Sequence, residues 1–214
     1  MKRLLIVAIA LTMVACGGSE TEEESTDTNI ESTESTEESD ESTEEALVHE
    51  NTPDIAPGSA GMFEIGAKVP GLPEDLSSRV GTAPAGDEGG EIRTVVVYNH
   101  FEDMIDLHME DNPDAHVEDL HIVEMMIHSD YYKTDDGIGV GTTIEHFAEV
   151  YPDYNLWYTY ISDRYILETE VLIGIQFLLD FHDCKITPKG DSDMETLELS
   201  DFKEGAKIQA IRVY

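Results

Sequence analysis

The chain has 214 residues, with 47 acidic against 12 basic side chains and a formal charge of −35 at pH 7. That balance disfavours nucleic acid and anionic membrane surfaces as partners, since both are polyanions. Only two cysteines are present, Cys16 and Cys184, so at most one disulfide can form.

The chain opens on "MKRLLIVAIALTMVAC". Lys2 and Arg3 form a positive start, and Leu4 to Val14 form an apolar run too short to span a bilayer permanently. Its end, "MVAC", resembles the lipobox of bacterial lipoproteins. The resemblance implies that residues 1–15 are a signal peptide and that Cys16 becomes a lipidated N-terminus. Acyl chains at about 0.8 kcal/mol per buried CH₂ would anchor it stably in a membrane. Cys184 would then be the last thiol, with no disulfide partner. Residues 17–50 carry 14 acidic side chains and no Lys or Arg. Such a segment is expected to be a disordered, self-repelling tether. Gly17 after the cysteine is compatible with export to the outer membrane. The acidic start is similar to surface-export signals of some Gram-negative lipoproteins, so the expected location is the cell envelope, at the outer membrane or cell surface.

Residues 51–61, "NTPDIAPGSAG", read as a linker. Residues 62–214 then form one domain large enough for a real core. From residue 51 onward there are 33 acidic and 10 basic residues, a formal charge of −23. "PGLPEDLSSRVG" predicts a short helix entered through Pro73 with Glu74 and Asp75. Residues 81–91 read as a loop. "IRTVVVYNH" and "DMIDLHME" read as strands, "NPDA" as a turn, and "HVEDLHIVEMMIHSDYY" as mostly strand.

The loop "TDDGIGVGTTIEHF" comes next. Gly137, Gly139 and Gly141 lack the last glycine of a dinucleotide fingerprint, and no lysine stands after them as a P-loop requires. Asp135 and Asp136 would repel a phosphate. The loop is therefore read as structural, with Ile138 and Val140 pointing into the core. Ile144, Phe147, Ala148 and Tyr151 share a helical face, Thr142 and Glu145 have capping-box spacing, and Pro152 ends the helix. "LWYTYI" and "YILETE" form a hairpin, "VLIGIQFLLDF" is a further strand, 183–204 is polar loop, and "AKIQAIRVY" is the last strand.

One unit is stated twice. "FEIGAKV" aligns with "IGVGTTI", and "IVEMMI" with "IQAIRV". The expected fold class is α+β: two short helices on one face of an antiparallel sheet of seven or eight strands, from tandem helix-then-strands repeats at 62–132 and 133–214. The string "YYKTDDGIGVGTTIEHFAEVYPDY" resembles a motif, T-x-x-G-I-x-V-G-T-[ST] and then a helix, of an uncharacterised bacterial envelope lipoprotein family. More distantly, the doubled arrangement is similar to β-lactamase-inhibitor-protein-like folds and to small lipoproteins of the barrel-assembly machinery, which implies protein binding.

No catalytic motif is found, and an enzyme is not expected. H-E-x-x-H and C-x-x-C are absent, and His116, His121 and His128 lie at odd separations that do not converge on one strand. His100 and His108 could meet across a hairpin. Asp191, Asp193 and Glu195 have calcium-loop spacing, but the loop's glycine and final glutamate are missing. His182 next to Cys184 does not by itself make a nucleophile pair. No metal or cofactor is expected. Tyr154, Trp157, Tyr158 and Tyr160 form the aromatic cluster of interest. Period two puts the three tyrosines on one face and Trp157 on the other, and exposed aromatics suit a protein-binding surface. The expected role is a lipid-anchored envelope protein that binds or scaffolds a protein partner. The alternative is a small-molecule or cation-binding sensor, and a hydrolase is the third reading.

Overall fold

The computed structural model describes residues 54–84, 90–100, 102–189 and 193–214. The signal peptide, Cys16 and the acidic tether lie outside the described residues, as do residues 51–53 of the linker.

Twelve strands are formed among the described residues. Strands β1 (Ile55–Ala56), β2 (Ser59–Ala60) and β3 (Phe63–Glu64) make a small antiparallel sheet. The large sheet contains β4 (Ser77–Pro84), β5 (Glu91–Asn99), β6 (Glu102–Met109), β7 (Ile122–Ile127), β8 (Tyr154–Thr159), β9 (Arg164–Thr169), β10 (Ile175–Leu179), β11 (Met194–Thr196) and β12 (Ile208–Val213). All strand pairings in it are antiparallel, in the order β11-β8-β9-β10-β12-β7-β6-β5-β4. One α-helix, α1 (Ile144–Val150), lies among the described residues.

The fold is therefore mostly β, with 47% of the described residues in strands and bridges, and the expected α+β class with two helices is corrected. The helix expected near Pro73 does not form. Leu76 closes one turn on the carbonyl of Pro73, and the chain then enters β4. The serines and Gly81 disfavour helix, and the β-branched Val80 and Thr82 favour strand there. Eight consecutive pairs, from Ser77↔Tyr98 to Pro84↔Glu91, zip β4 onto β5. The linker reading is corrected too. Residues 55–60 form a hairpin whose Ile55 and Ala60 are buried, and the Ile55 N–H donates to the carbonyl of Lys133.

The centre of the large sheet is the pair β7–β12, with Ile127 opposite Ile211. On one side the order runs β6, β5, β4, and on the other β10, β9, β8. Matching strings make matching contacts across this centre. Gly66 donates to Ile122 and Gly141 to Ile208; Ile122 donates to Ala67 and Ile208 to Thr142. Lys68 bridges His121, and Thr143 bridges Lys207. Gly66 (φ 83°) and Gly141 (φ 84°) both occupy the left-handed region that glycine tolerates.

One face of the large sheet holds the main core. Val97, Ile105, Leu107, Met125, Ile127, Leu167, Phe177, Ile211 and Val213 alternate onto it. Helix α1 packs here through Ile144 and Phe147, with the Phe147 ring 4.8 Å from Phe177. The small sheet adds Ile55, Ala60 and Phe63 to the same core.

Candidate functional site

Strand alternation sends a second set of side chains to the opposite, outer face. Val96, Met126 and Ile166 are buried there but do not belong to the main core. Helix α1 packs against the other face and adds no side chain here.

Two rows cross the outer face. The first is polar. Thr94 lies opposite His108, His108 opposite Glu124, Arg212 opposite Gln176, and Glu168 opposite Asn155. Glu124 links the row through both carboxylate oxygens. His108 Nδ1 is 3.0 Å from Oε1, while Arg212 Nε donates to Oε2 at 2.7 Å and Arg212 Nη2 also contacts Oε2. Arg212 Nη1 then donates to Gln176 Oε1 at 3.3 Å, and Gln176 Nε2 to Glu168 Oε2 at 3.5 Å. Burial alone would raise the Glu124 carboxyl. Hydrogen bonds from His108 and Arg212, with their charges, outweigh it and hold the group down at about 2. Arg212 also lies 5.0 Å over the ring of Tyr214.

The second row is apolar. Trp157 lies opposite Ile166, Ile166 opposite Leu178, and Leu178 opposite Ala210. The Trp157 indole N–H is buried without an acceptor, at a cost of about 1–3 kcal/mol. It is the one such side-chain atom among the described residues.

The expected aromatic cluster divides as its period requires. Tyr154 and Tyr158 face the core side, and Trp157 faces outward. Tyr158 donates to Asp163, and that hydrogen bond, with burial, pushes its phenol up to about 12. Tyr160 donates to Glu195 Oε2 at 2.9 Å. The Tyr158 ring stands 4.7 Å from Tyr160 and 4.8 Å from Tyr165, and Tyr165 reaches Phe202. Tyr158 and Tyr165 are core packing, so of the four expected binding residues Trp157 alone sits on the outer face.

The glycine loop is a folded junction. Ile138 is fully buried, and its N–H donates to Thr134 Oγ1 at 3.1 Å. Gly137 closes a turn onto the carbonyl of Thr134. A Cβ at Gly139 would lie 2.5 Å from the carbonyl oxygen of Tyr132, which is why glycine is needed there. Lys133 Nζ, within the loop's reach, donates to the Val140 carbonyl at 3.2 Å. The capping reading is shifted by one residue. Thr143 is the N-cap and accepts from the His146 N–H. Thr142 instead accepts from the Gly139 N–H, and Glu145 accepts from the Gly205 N–H.

Four histidines, His108, His121, His128 and His146, pair with carboxylates rather than with each other. His121 meets Glu110 at 3.2 Å and His128 meets Asp106 at 3.2 Å, both across β6 and β7 or their ends. His108 is opposite Thr94, eight residues along the chain from His100 in the turn before β6. Among the described residues no group of three or more His, Cys, Asp or Glu is placed to hold a metal. Asp191 lies outside them, and Glu195 accepts from Tyr160 and from the Lys189 N–H. The Cys184 thiol donates to the Ile186 carbonyl at 3.3 Å, while the His182 ring lies against Phe181. Open grooves lie on the surface of the described residues. One of about 530 Å³ is lined by Tyr154, Leu156, Leu197 and Glu198, and one of about 210 Å³ by Glu168, Ile173 and Tyr214.

Sequence reasoning missed His108–Glu124–Arg212–Gln176 as a unit. The available signal was a polar residue inside each apolar strand: Glu124 in "IVEMMI", Arg212 (with Gln209) in "IQAIRV" and Gln176 in "IQFLL". Which of these strands are neighbours is a property of topology.

No described helix is long and apolar enough to cross a membrane, which says nothing of strands. No protein-family model and no curated protein matches the chain. Among solved structures it is similar to the uncharacterized protein yfeY from Escherichia coli, at 16% identity and a TM-score of 0.39, over 64% of this chain and 80% of that one. A score that low carries no argument about activity.

Proposed function

We propose that the protein is a lipid-anchored envelope protein whose domain binds another protein through the outer face of its large sheet. The observation that carries this reading is the pair of rows on that face. An apolar row from Trp157 to Ala210 runs beside a charged row from His108 to Glu168, and helix α1 packs on the opposite side of the sheet. An apolar row beside a row of satisfied polar groups, with Trp and Arg present, has the composition of a protein-binding patch. The titratable groups of the row are held in pairs, which suits a rigid recognition surface better than proton transfer. Cys16, by its likeness to the lipobox, supplies the anchor, and the acidic segment 17–50 the tether. The partner presents basic and apolar side chains, because the domain carries 33 acidic against 10 basic residues from residue 51 onward.

A photo-crosslinking amino acid in place of Leu178, in the full chain in its native envelope, tests the reading. The expected result is a discrete protein adduct that is absent when the same group replaces Glu149 on α1. Trp157→Ala should lower the adduct yield roughly tenfold or more, as the loss of a binding anchor does. No adduct above background from Leu178 rules the outer face out.

A further inference from the structure

The two ends of the large sheet are counterparts, and they are finished differently. Strand β8 ends one side, and β11 covers its outer edge: Met194 pairs Thr159, Glu195 pairs Tyr158 and Thr196 pairs Trp157. The ladder continues one step further, with the Leu197 N–H donating to Leu156 at 2.8 Å. Strand β4 ends the other side. Its eight residues pair with β5, and among the described residues no strand pairs with its outer edge. Ser77–Val80 are exposed, with Val80 at 60%.

Free edges in proteins are normally blunted by bulges, by charge or by shortness. Here those devices are weak. The β4–β5 register is unbroken over eight pairs, whereas β5–β6, β6–β7 and β10–β12 each contain a shift. The strand's one charge, Arg79, is drawn onto the outer face, where it donates to both oxygens of Asp103 at 2.7 and 2.5 Å. Pro84 blocks only the last position.

We propose that the outer edge of β4 is a docking site for an extended segment of a partner protein, which adds as a tenth strand just as β11 adds to β8. Main-chain hydrogen bonds would supply the affinity. A residue on the helix-bearing side meets Val80 and is apolar. The segment also carries Lys or Arg, because the domain's charge of −23 attracts a cationic strand. The same charge on both partners opposes pairing with a second copy of this chain. This site does not depend on the outer face being a recognition surface.

Hydrogen exchange read by mass spectrometry on the full chain tests it, with an eight-residue alternating Val–Lys peptide as probe. Amides of residues 77–84 should slow roughly tenfold when the peptide is added. A peptide of the same charge with proline at alternate positions, and an alternating Val–Glu peptide, should leave them unchanged. Val80→Lys should abolish the slowing by the Val–Lys peptide. Equal slowing by the proline-bearing peptide, or no slowing at 77–84, overturns the proposal. Slowing at 77–84 that rises with chain concentration, in the absence of any peptide, also overturns it by giving the edge to a second copy. The crosslinking at Leu178 reads a different surface, so either reading can fail alone.

Discussion

In the first half of the domain Gly66 donates to Ile122, and the chain then runs through Pro70 and Pro73 directly into β4. In the second half Gly141 donates to Ile208, and the chain makes two turns of helix before β8. The backbone frame is the same, and the insert is decided locally. Thr143 caps the helix and Phe147 and Ile144 give it an apolar side to bury. The first half offers two prolines and a glycine, which break a helix, so Val69, Leu72 and Leu76 pack against the core from a non-helical segment. Each half therefore covers the core differently, and among the described residues only the second covers its sheet edge with an extra strand. A shared frame thus leaves room for different surfaces, which is where the two halves can differ in function.

The largest expected effect tests whether the helix is the second half's contribution to the core. Phe147 is fully buried, against Phe177 at 4.8 Å and Tyr151 at 5.0 Å. Phe147→Ala should cost about 3–5 kcal/mol in urea unfolding. Leu76→Ala, in the corresponding connection of the first half, is only partly buried and should cost about 1 kcal/mol. Similar losses from the two would break the comparison, because the helix-free connection would then carry as much of the core.

The next effect concerns the seam where the halves meet. Glu124 of β7 belongs to the first half and Arg212 of β12 to the second, and their ion pair joins them on the outer face. The Glu124 carboxyl lies at about 2 in the folded protein against an ordinary 4.5. A lowered folded value means that its contribution is complete above pH 4.5. It is lost progressively as the pH falls from 4.5 to about 2. The amount is on the order of 2–3 kcal/mol. Urea unfolding at a series of pH values from about 6 down to about 2 should show the loss, and Glu124→Gln should flatten the curve in that window. An unchanged slope in the variant would take the seam's acid sensitivity away from this pair.

Strands β5, β7, β8, β9, β10 and β12 are legible because β-branched, aromatic and other apolar residues are dense in them, β6 because Ile105, Leu107 and Met109 alternate with Asp106 and His108, and α1 because its apolar spacing is bounded by threonine and Pro152. The absent first helix misled for a physical reason. Pro73, Glu74 and Asp75 are a good helix start, and Leu76 and Val80 lie four apart after them, but the intervening serines, Gly81 and the β-branched Val80 and Thr82 are poor helix formers, and tertiary pairing with β5 takes the segment. Residues 55–60 looked like a linker because their composition is rich in Gly, Pro and Ser, yet the same residues allow tight turns between buried Ile55 and Ala60. The faces of Trp157 and Tyr158 came from period two alone. The Glu124–Arg212 pair did not, since 88 residues separate its members and only the β7–β12 pairing brings them together.

The smallest effect tests the frame itself. Gly66 and Gly141 have nearly the same positive φ, and a Cβ at either would meet no atom within 4 Å. Alanine at either site therefore adds backbone strain and no clash. Each substitution should cost about 1–2 kcal/mol, the penalty of a left-handed L-residue. Because the two sites hold equivalent hydrogen bonds, to Ile122 and Ile208, the two losses should agree within about 0.5 kcal/mol and add in the double variant. Thermal unfolding of Gly66→Ala, Gly141→Ala and the pair measures this directly. A much smaller loss at Gly66 would mean that the first half relaxes around the strain while the second does not. The helix offers a reason for such an outcome. Helix α1 begins at Ile144, shortly past Gly141, and Phe147 locks it into the core, whereas the chain after Gly66 continues through half-buried and exposed positions that can shift. Equal losses would show instead that the strain is set by the shared contacts at β7 and β12, whether a helix or an extended segment lies downstream of the glycine.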